Sequence, residues 1–116
     1  MLVTTEGKII VLSNSQGYDD PNKAIVMLKF EAAGTLLWSK WIYPPVLDYV
    51  SHAVATPDGG YLLVGYEFKS PQALEYLLMK FDSDGNLQWS GLYGGTGNDL
   101  STAVRITNEG DYLICG

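Results

Sequence analysis

The chain has 116 residues, with seven Lys+Arg against thirteen Asp+Glu for a net charge of −6, and is 47% apolar and 17% charged. That balance lies in the globular range and outside the disordered one, and the acidic surplus argues against nucleic acid as a partner, since such affinity rests on Lys and Arg. Apolar runs such as Tyr61–Val64 and Leu77–Met79 are too short to insert in a membrane, and the lone Cys115 allows no disulfide within the chain.

In chain order, Met1–Gly7 lacks the basic stretch and long apolar run of a secretory signal, so the chain reads as cytoplasmic or as part of a longer protein. Thr4, Glu6, Gly7 and Ile10 open a pattern that returns at Thr56, Asp58, Gly59 and Leu62. The polar connection Gln16–Asn22 follows, then Lys29-Phe30, Gly34, Leu36 and Trp38-Ser39, and the proline-bearing segment Pro44–Tyr49. Ser51–Thr56 reads as a strand, and Pro57-Asp58-Gly59-Gly60 as a turn with glycine where positive φ costs little. Tyr61–Glu67 reads as a strand buried on both faces. Phe68–Leu74 reads as a longer, variable connection, Glu75–Phe81 as a third strand and Asp82–Asn86 as a tight hairpin turn. Leu87–Tyr93 makes the fourth strand, with Leu87, Trp89 and Gly91 expected on one face. The glycine-rich stretch Gly94–Asp99 then restarts the cycle. No window combines a sustained helical period with caps, so no helix is expected.

These elements repeat. A shift of 51 superposes residues 24–65 on 75–116 with twelve identities in forty-two ungapped pairs, including Lys29-Phe30 on Lys80-Phe81, Trp38-Ser39 on Trp89-Ser90, and Tyr61-Leu62 on Tyr112-Leu113. Unrelated pairing gives roughly 6% identity, so the repeat is real. A period near 50 residues with four strands is the unit of a β-propeller blade. The expected fold is all-β: four-stranded antiparallel blades, about two and a half of them, in one segment of an incomplete propeller. Blade one spans 1–43, blade two 44–94 and a partial blade three 95–116. Closed propellers need roughly 4–8 blades. Further blades, from the same parent chain or from other copies, are therefore the expected partners, and the isolated chain is expected to oligomerise through its uncovered apolar faces and strand edge.

Candidate sites are weighed against plain structural roles. Asp82-x-Asp84-Gly85-Asn86 has carboxylates at calcium-loop spacing, but its repeat mate Glu31-Ala32-Ala33-Gly34-Thr35 keeps only the glycine, which a turn needs and a metal does not. Gly94-Gly95-Thr96-Gly97 lacks the lysine and helix of a phosphate loop and reads as a crossover, with Asp48 and Asp99 bonding nearby amides. His52 is the sole histidine, with no partner for a metal site or a triad. Cys115 stands where the other unit has Val64 and reads as a buried small hydrophobe. Trp38 and Trp89 share a position suited to packing between blades, whereas Trp41 breaks the pattern and is expected to be exposed. No catalytic, cofactor-binding or metal residue is assigned. The segments least tied to the repeat are Gln16–Asn22, Phe68–Ala73 and Pro44–Tyr49, where function is grafted onto such scaffolds. Tyr18, Asp20, Tyr49 and Phe68 are the ligand-binding candidates there, through aromatic faces and a carboxylate.

The phrases Thr-x-Asp-Gly-Gly-Tyr-Leu-Leu-Val-Gly (56–65), Leu-Met-Lys-Phe-Asp-x-x-Gly-Asn-Leu-x-Trp (78–89) and Tyr-Gly-Gly-x-x-x-Asp (93–99) resemble bacterial β-propeller repeat proteins. The resemblance implies a propeller and an exported, extracellular or cell-surface setting; it implies no activity, because that family is defined by scaffold residues. A weaker similarity to quinoprotein-type blades rests on Asp82, Gly85 and Trp89, with the Asp-to-Gly spacing one residue short and Glu31 replacing the aspartate in the other unit. The expected function is a non-catalytic binding or scaffolding module without a cofactor, with a protein or glycan as ligand. The alternative is part of a propeller enzyme (a quinoprotein-like dehydrogenase, lyase or hydrolase) whose active residues lie outside this segment.

Overall fold

The computed structural model describes residues 2–15, 24–42, 48–70 and 73–116. They form β1 (Leu2–Val3), β2 (Ile9–Ser15), β3 (Ala24–Phe30), β4 (Leu36–Ile42), β5 (Asp48–Ala55), β6 (Tyr61–Ser70), β7 (Ala73–Phe81), β8 (Leu87–Tyr93), β9 (Ala103–Ile106) and β10 (Tyr112–Cys115), with no helix among the described residues. Neighbours pair antiparallel in three sheets: β1-β2-β3-β4 (sheet one), β5-β6-β7-β8 (sheet two) and β9-β10 (sheet three).

A single turn design closes five of the hairpins. At β5–β6, Thr56 N–H donates to Gly60 O (2.9 Å) and Gly59 N–H donates to Thr56 O (3.0 Å). The same two bonds occur at Thr4/Lys8, Glu31/Thr35, Asp82/Asn86 and Thr107/Asp111. In each, the residue before the closing pair is a glycine at positive φ: Gly7 (76°), Gly34 (94°), Gly59 (84°), Gly85 (79°) and Gly110 (90°). This is the hairpin built from a type I turn followed by a left-handed residue. A side chain there costs strain, which is why glycine recurs at this point while its neighbours change.

Strand alternation then sorts the apolar residues onto two faces. From sheet two, Tyr61, Leu63, Leu77, Met79 and Phe81 pack with Ile10, Ile25 and Met27 of sheet one, flanked by Leu12, Trp38 and Ile42. The opposite residues, Leu62, Val64 and Leu78, pack with Val104 of sheet three, flanked by Tyr76, Tyr112 and Ile114. The two interfaces are copies of one another at the repeat spacing. Ile10, Met27 and Trp38 correspond to Leu62, Leu78 and Trp89; Tyr61, Leu63 and Ala53 correspond to Tyr112, Ile114 and Val104. The same face of each sheet therefore meets the other face of the next. β5 lies against β1, β2 and β3 on one side and against β9 on the other.

Four expectations are corrected by the strand register. Phe68–Leu74 is not a long connection: Phe68 pairs with Leu74 and Ser70 with Ala73, so β6 extends to Ser70 and β7 begins at Ala73. Likewise Asp48 and Tyr49 belong to β5 rather than to the preceding loop, pairing with Glu67 and Tyr66. Leu87 and Trp89 do not share a face. A bulge sets Leu87 opposite Phe81 and Trp89 opposite Lys80, and consecutive residues of β7 point to opposite sides. Cys115 is exposed, not buried, because the face of sheet three that carries it has no covering sheet among the described residues. Trp41 is 55% exposed, in line with its break from the repeat.

Candidate functional site

Of the four loop candidates, Tyr18 and Asp20 lie outside the described residues. Tyr49 sits on β5 with its ring stacked on Tyr66 directly across the ladder, centroids 5.2 Å apart at 24°. The backbone of Phe68 lies two positions beyond Tyr66 on β6, so both occupy the same end of sheet two. The structure thus gathers Tyr49 and Phe68 in paired strands, not on separate loops.

The bulge between Val50 and His52 shapes the inner edge of sheet two. Ser51 Oγ lies 2.9 Å from Ser101 O and 3.2 Å from Val64 O, while Ser101 Oγ donates to Gly65 O at 2.7 Å. Asn14 imitates a strand partner: its Nδ2 donates to Val50 O and its Oδ1 accepts from Val50 N–H, both at 3.0 Å. Sheets one, two and three are thereby linked through one bulge. A shallow hollow of about 130 Å³ beside it is lined by Leu12, Val50, Ser51, His52 and Ala53. A half-buried imidazole and a hydroxyl already engaged with carbonyls offer hydrogen bonds there. Among the described residues no three His, Cys, Asp or Glu come together as a metal site.

The charged residues that recur are occupied by the scaffold. Lys80 Nζ lies 2.9 Å from Asp58 Oδ2 and 3.0 Å from both Phe81 O and Gln88 Oε1. The Thr56 hydroxyl and the Lys80 amine, with the Gly60 N–H, pull the Asp58 carboxyl down from 3.8 to about 2. Lys29, at the equivalent position, donates to Ser83 O (3.0 Å) and lies over the Trp38 and Tyr61 rings at 5.9 and 5.7 Å. Asp82 accepts from Asn86 N–H (2.8 Å) and Asp84 N–H (2.9 Å), which holds its carboxyl below the usual range and makes it the cap of its turn. Asp99 Oδ2 accepts from Gly95 N–H at 2.7 Å, the local amide bond expected for the end of the glycine-rich loop.

A second, larger opening lies away from that hollow. An apolar cleft of about 370 Å³ separates sheet two from sheet three, lined by Tyr76, Leu78, Tyr93, Tyr112, Leu113 and Ile114. At its rim Trp89 is 40% exposed, its ring centroid 6.5 Å from that of Tyr112. The equivalent space between sheets one and two is closed. There Leu77 and Met79 of β7 fill the core, the β7–β8 turn brings Gly85 against Trp38, and Lys40 Nζ donates to Asn86 Oδ1 at 2.9 Å. Sequence reasoning missed this cleft. The available signal was a substitution within the repeat, since Ile25 and Ile42 of the closed interface become Tyr76 and Tyr93 in the open one.

No protein-family model and no curated protein matches the chain. Its function must therefore be argued from these interfaces.

Proposed function

We propose that this chain is a section of a β-propeller that binds or scaffolds rather than catalyses, within a larger exported or cell-surface bacterial protein or an oligomeric assembly. The observation that carries the reading is the pair of equivalent interfaces: one sheet face meets the opposite face of the next, twice, through residues 51 or 52 positions apart. The position of β5, against β1 and β9 at once, supports a radial arrangement with first strands innermost. The residues that recur, Lys29/Lys80, Trp38/Trp89, Tyr61/Tyr112 and the turn glycines, serve packing and turns. Its partners are further sheets of the same repeat and a protein or glycan ligand.

The test is a glycan and peptide array run beside a turnover screen supplied with quinone and calcium. Saturable binding without turnover is the expected result. Turnover that disappears in His52→Ala or another substitution in this chain refutes the proposal.

A further inference from the structure

We infer that Tyr49 and Tyr66 form a site of oxidative cross-linking, at which a peroxide-driven one-electron oxidant joins the two phenols through a carbon–carbon bond. The strand register sets four of the chain's eight tyrosines in one row across sheet two: Tyr49 on β5 lies opposite Tyr66 on β6, Tyr66 opposite Tyr76 on β7, and Tyr76 opposite Tyr93 on β8. Directly opposed residues share a face of the sheet, on strands about 4.8 Å apart. At the β5 end of the row the Tyr49 and Tyr66 rings stack, with centroids 5.2 Å apart and planes at 24°.

The repeat shows that packing does not ask for phenols at these positions. In sheet one the corresponding row is Asn14, Ile25 and Ile42, set opposite one another by the same pairings. Of the six tyrosines among the described residues, Tyr61 and Tyr112 recur at one scaffold position, and the four that do not recur are the four of the row, with Leu100, Asn14, Ile25 and Ile42 as repeat mates. A phenol gives up an electron and its hydroxyl proton more readily than most side chains, and the phenoxyl radical carries spin on the ring carbons ortho to oxygen. Adjacent phenols exchange that vacancy, so oxidation along the row reaches the stacked pair. Two such radicals held together join ortho carbon to ortho carbon, and the hydrogen on each joined carbon moves to its oxygen, which restores both phenols. The pair loses two electrons and two protons in all; one hydrogen peroxide takes them up and leaves as two waters. The product ties β5 to β6, and a cross-link that closes a loop stabilises a fold by restricting the unfolded chain. This chemistry needs no ligand and stands apart from the proposed binding role.

The test exposes the full chain, at low concentration, to a haem peroxidase and one equivalent of hydrogen peroxide. The expected product is a monomer lighter by two hydrogens, with the blue fluorescence of a biphenol. Cleavage before Asp48, Asp58 and Asp82 separates segment 48–57, whose only tyrosine is Tyr49, from 58–81, which holds Tyr61, Tyr66 and Tyr76. The two segments are expected to stay joined, with fragmentation placing the bond between Tyr49 and Tyr66. Tyr49→Phe and Tyr66→Phe keep the ring and lose the hydroxyl, and each should lower the yield of coupled monomer at least tenfold, whereas Tyr112→Phe should leave it within twofold. The coupled monomer should also melt at a higher temperature than the untreated chain. Coupling confined to dimers overturns the inference, as does a bond placed at another tyrosine pair or an equal yield from Tyr66→Phe and the parent. So does an uncoupled chain in a mixture that couples free tyrosine.

Discussion

Gly65 tests how the inner strand of sheet two is built. It is not at positive φ; its constraint is proximity, since a Cβ added there would sit 1.7 Å from Tyr49 O and 2.7 Å from Tyr49 C. Its repeat mate Gly116 would meet Leu100 O at 1.9 Å, the equivalent atom. A carbon approaches a carbonyl oxygen no closer than about 3.3 Å, so Gly65→Ala must separate β5 from β6 locally by roughly 1.5 Å. The obstructing atom is backbone and cannot swing aside. That displacement breaks the Ser101 Oγ bond to Gly65 O and strains the bulge, with about 1 kcal/mol for each hydrogen bond lost and 1–3 kcal/mol for overpacking. The expected cost is about 3 kcal/mol, a fall of roughly 10 °C in Tm, measured by urea unfolding and calorimetry. Gly95→Ala and Gly97→Ala, with no atom within 4 Å of the added carbon, should stay within about 0.5 kcal/mol of the parent. A Gly65→Ala protein as stable as those controls would refute the close approach of Tyr49 and the bulge with it.

Three further predictions follow from the interfaces and turns. Met27→Ala removes a fully buried side chain at the centre of the first interface and should cost about 2–5 kcal/mol, whereas Val3→Ala, at 60% exposure, should cost under about 0.5 kcal/mol in the same denaturant titration. Asp58→Asn should destabilise by about 1 kcal/mol at neutral pH, a figure reduced for the half-exposed carboxylate. Because the folded carboxyl titrates near 2 and the unfolded one near 3.8, the stabilisation is present above pH 3.8 and lost as pH falls through 2. Parent and variant melting curves should therefore differ at pH 6 and converge near pH 2. Gly59→Ala should cost about 1–2 kcal/mol because its φ of 84° is retained by the turn, and the same substitution at Gly60, which has no positive φ but where an added Cβ would sit 2.1 Å from Phe81 O, should be at least as harmful.

The turns and inter-sheet residues were legible because they depend on local chemistry and on spacing. Glycine at a left-handed position marks Gly59 and Gly85 without knowledge of any neighbour, and Trp38 and Trp89 declare a common role by recurring. The missed features depend on register, which no single segment encodes. Phe68–Leu74, with Pro71 and polar neighbours, has the composition of a loop, yet pairing across the ladder carries β6 and β7 through most of it. The bulge at Gln88 reverses the faces of Leu87 and Trp89 although the sequence alternates cleanly. Cys115 shows the same limit for burial, because an apolar strand is covered only where a second sheet lies over it.

The repeated joint between sheets is heterologous: it brings unlike faces together, so each unit added leaves one donor face and one acceptor face. Such a joint has no internal stopping point. Its rotation either divides a full turn and yields a ring, or fails to and yields an open helix.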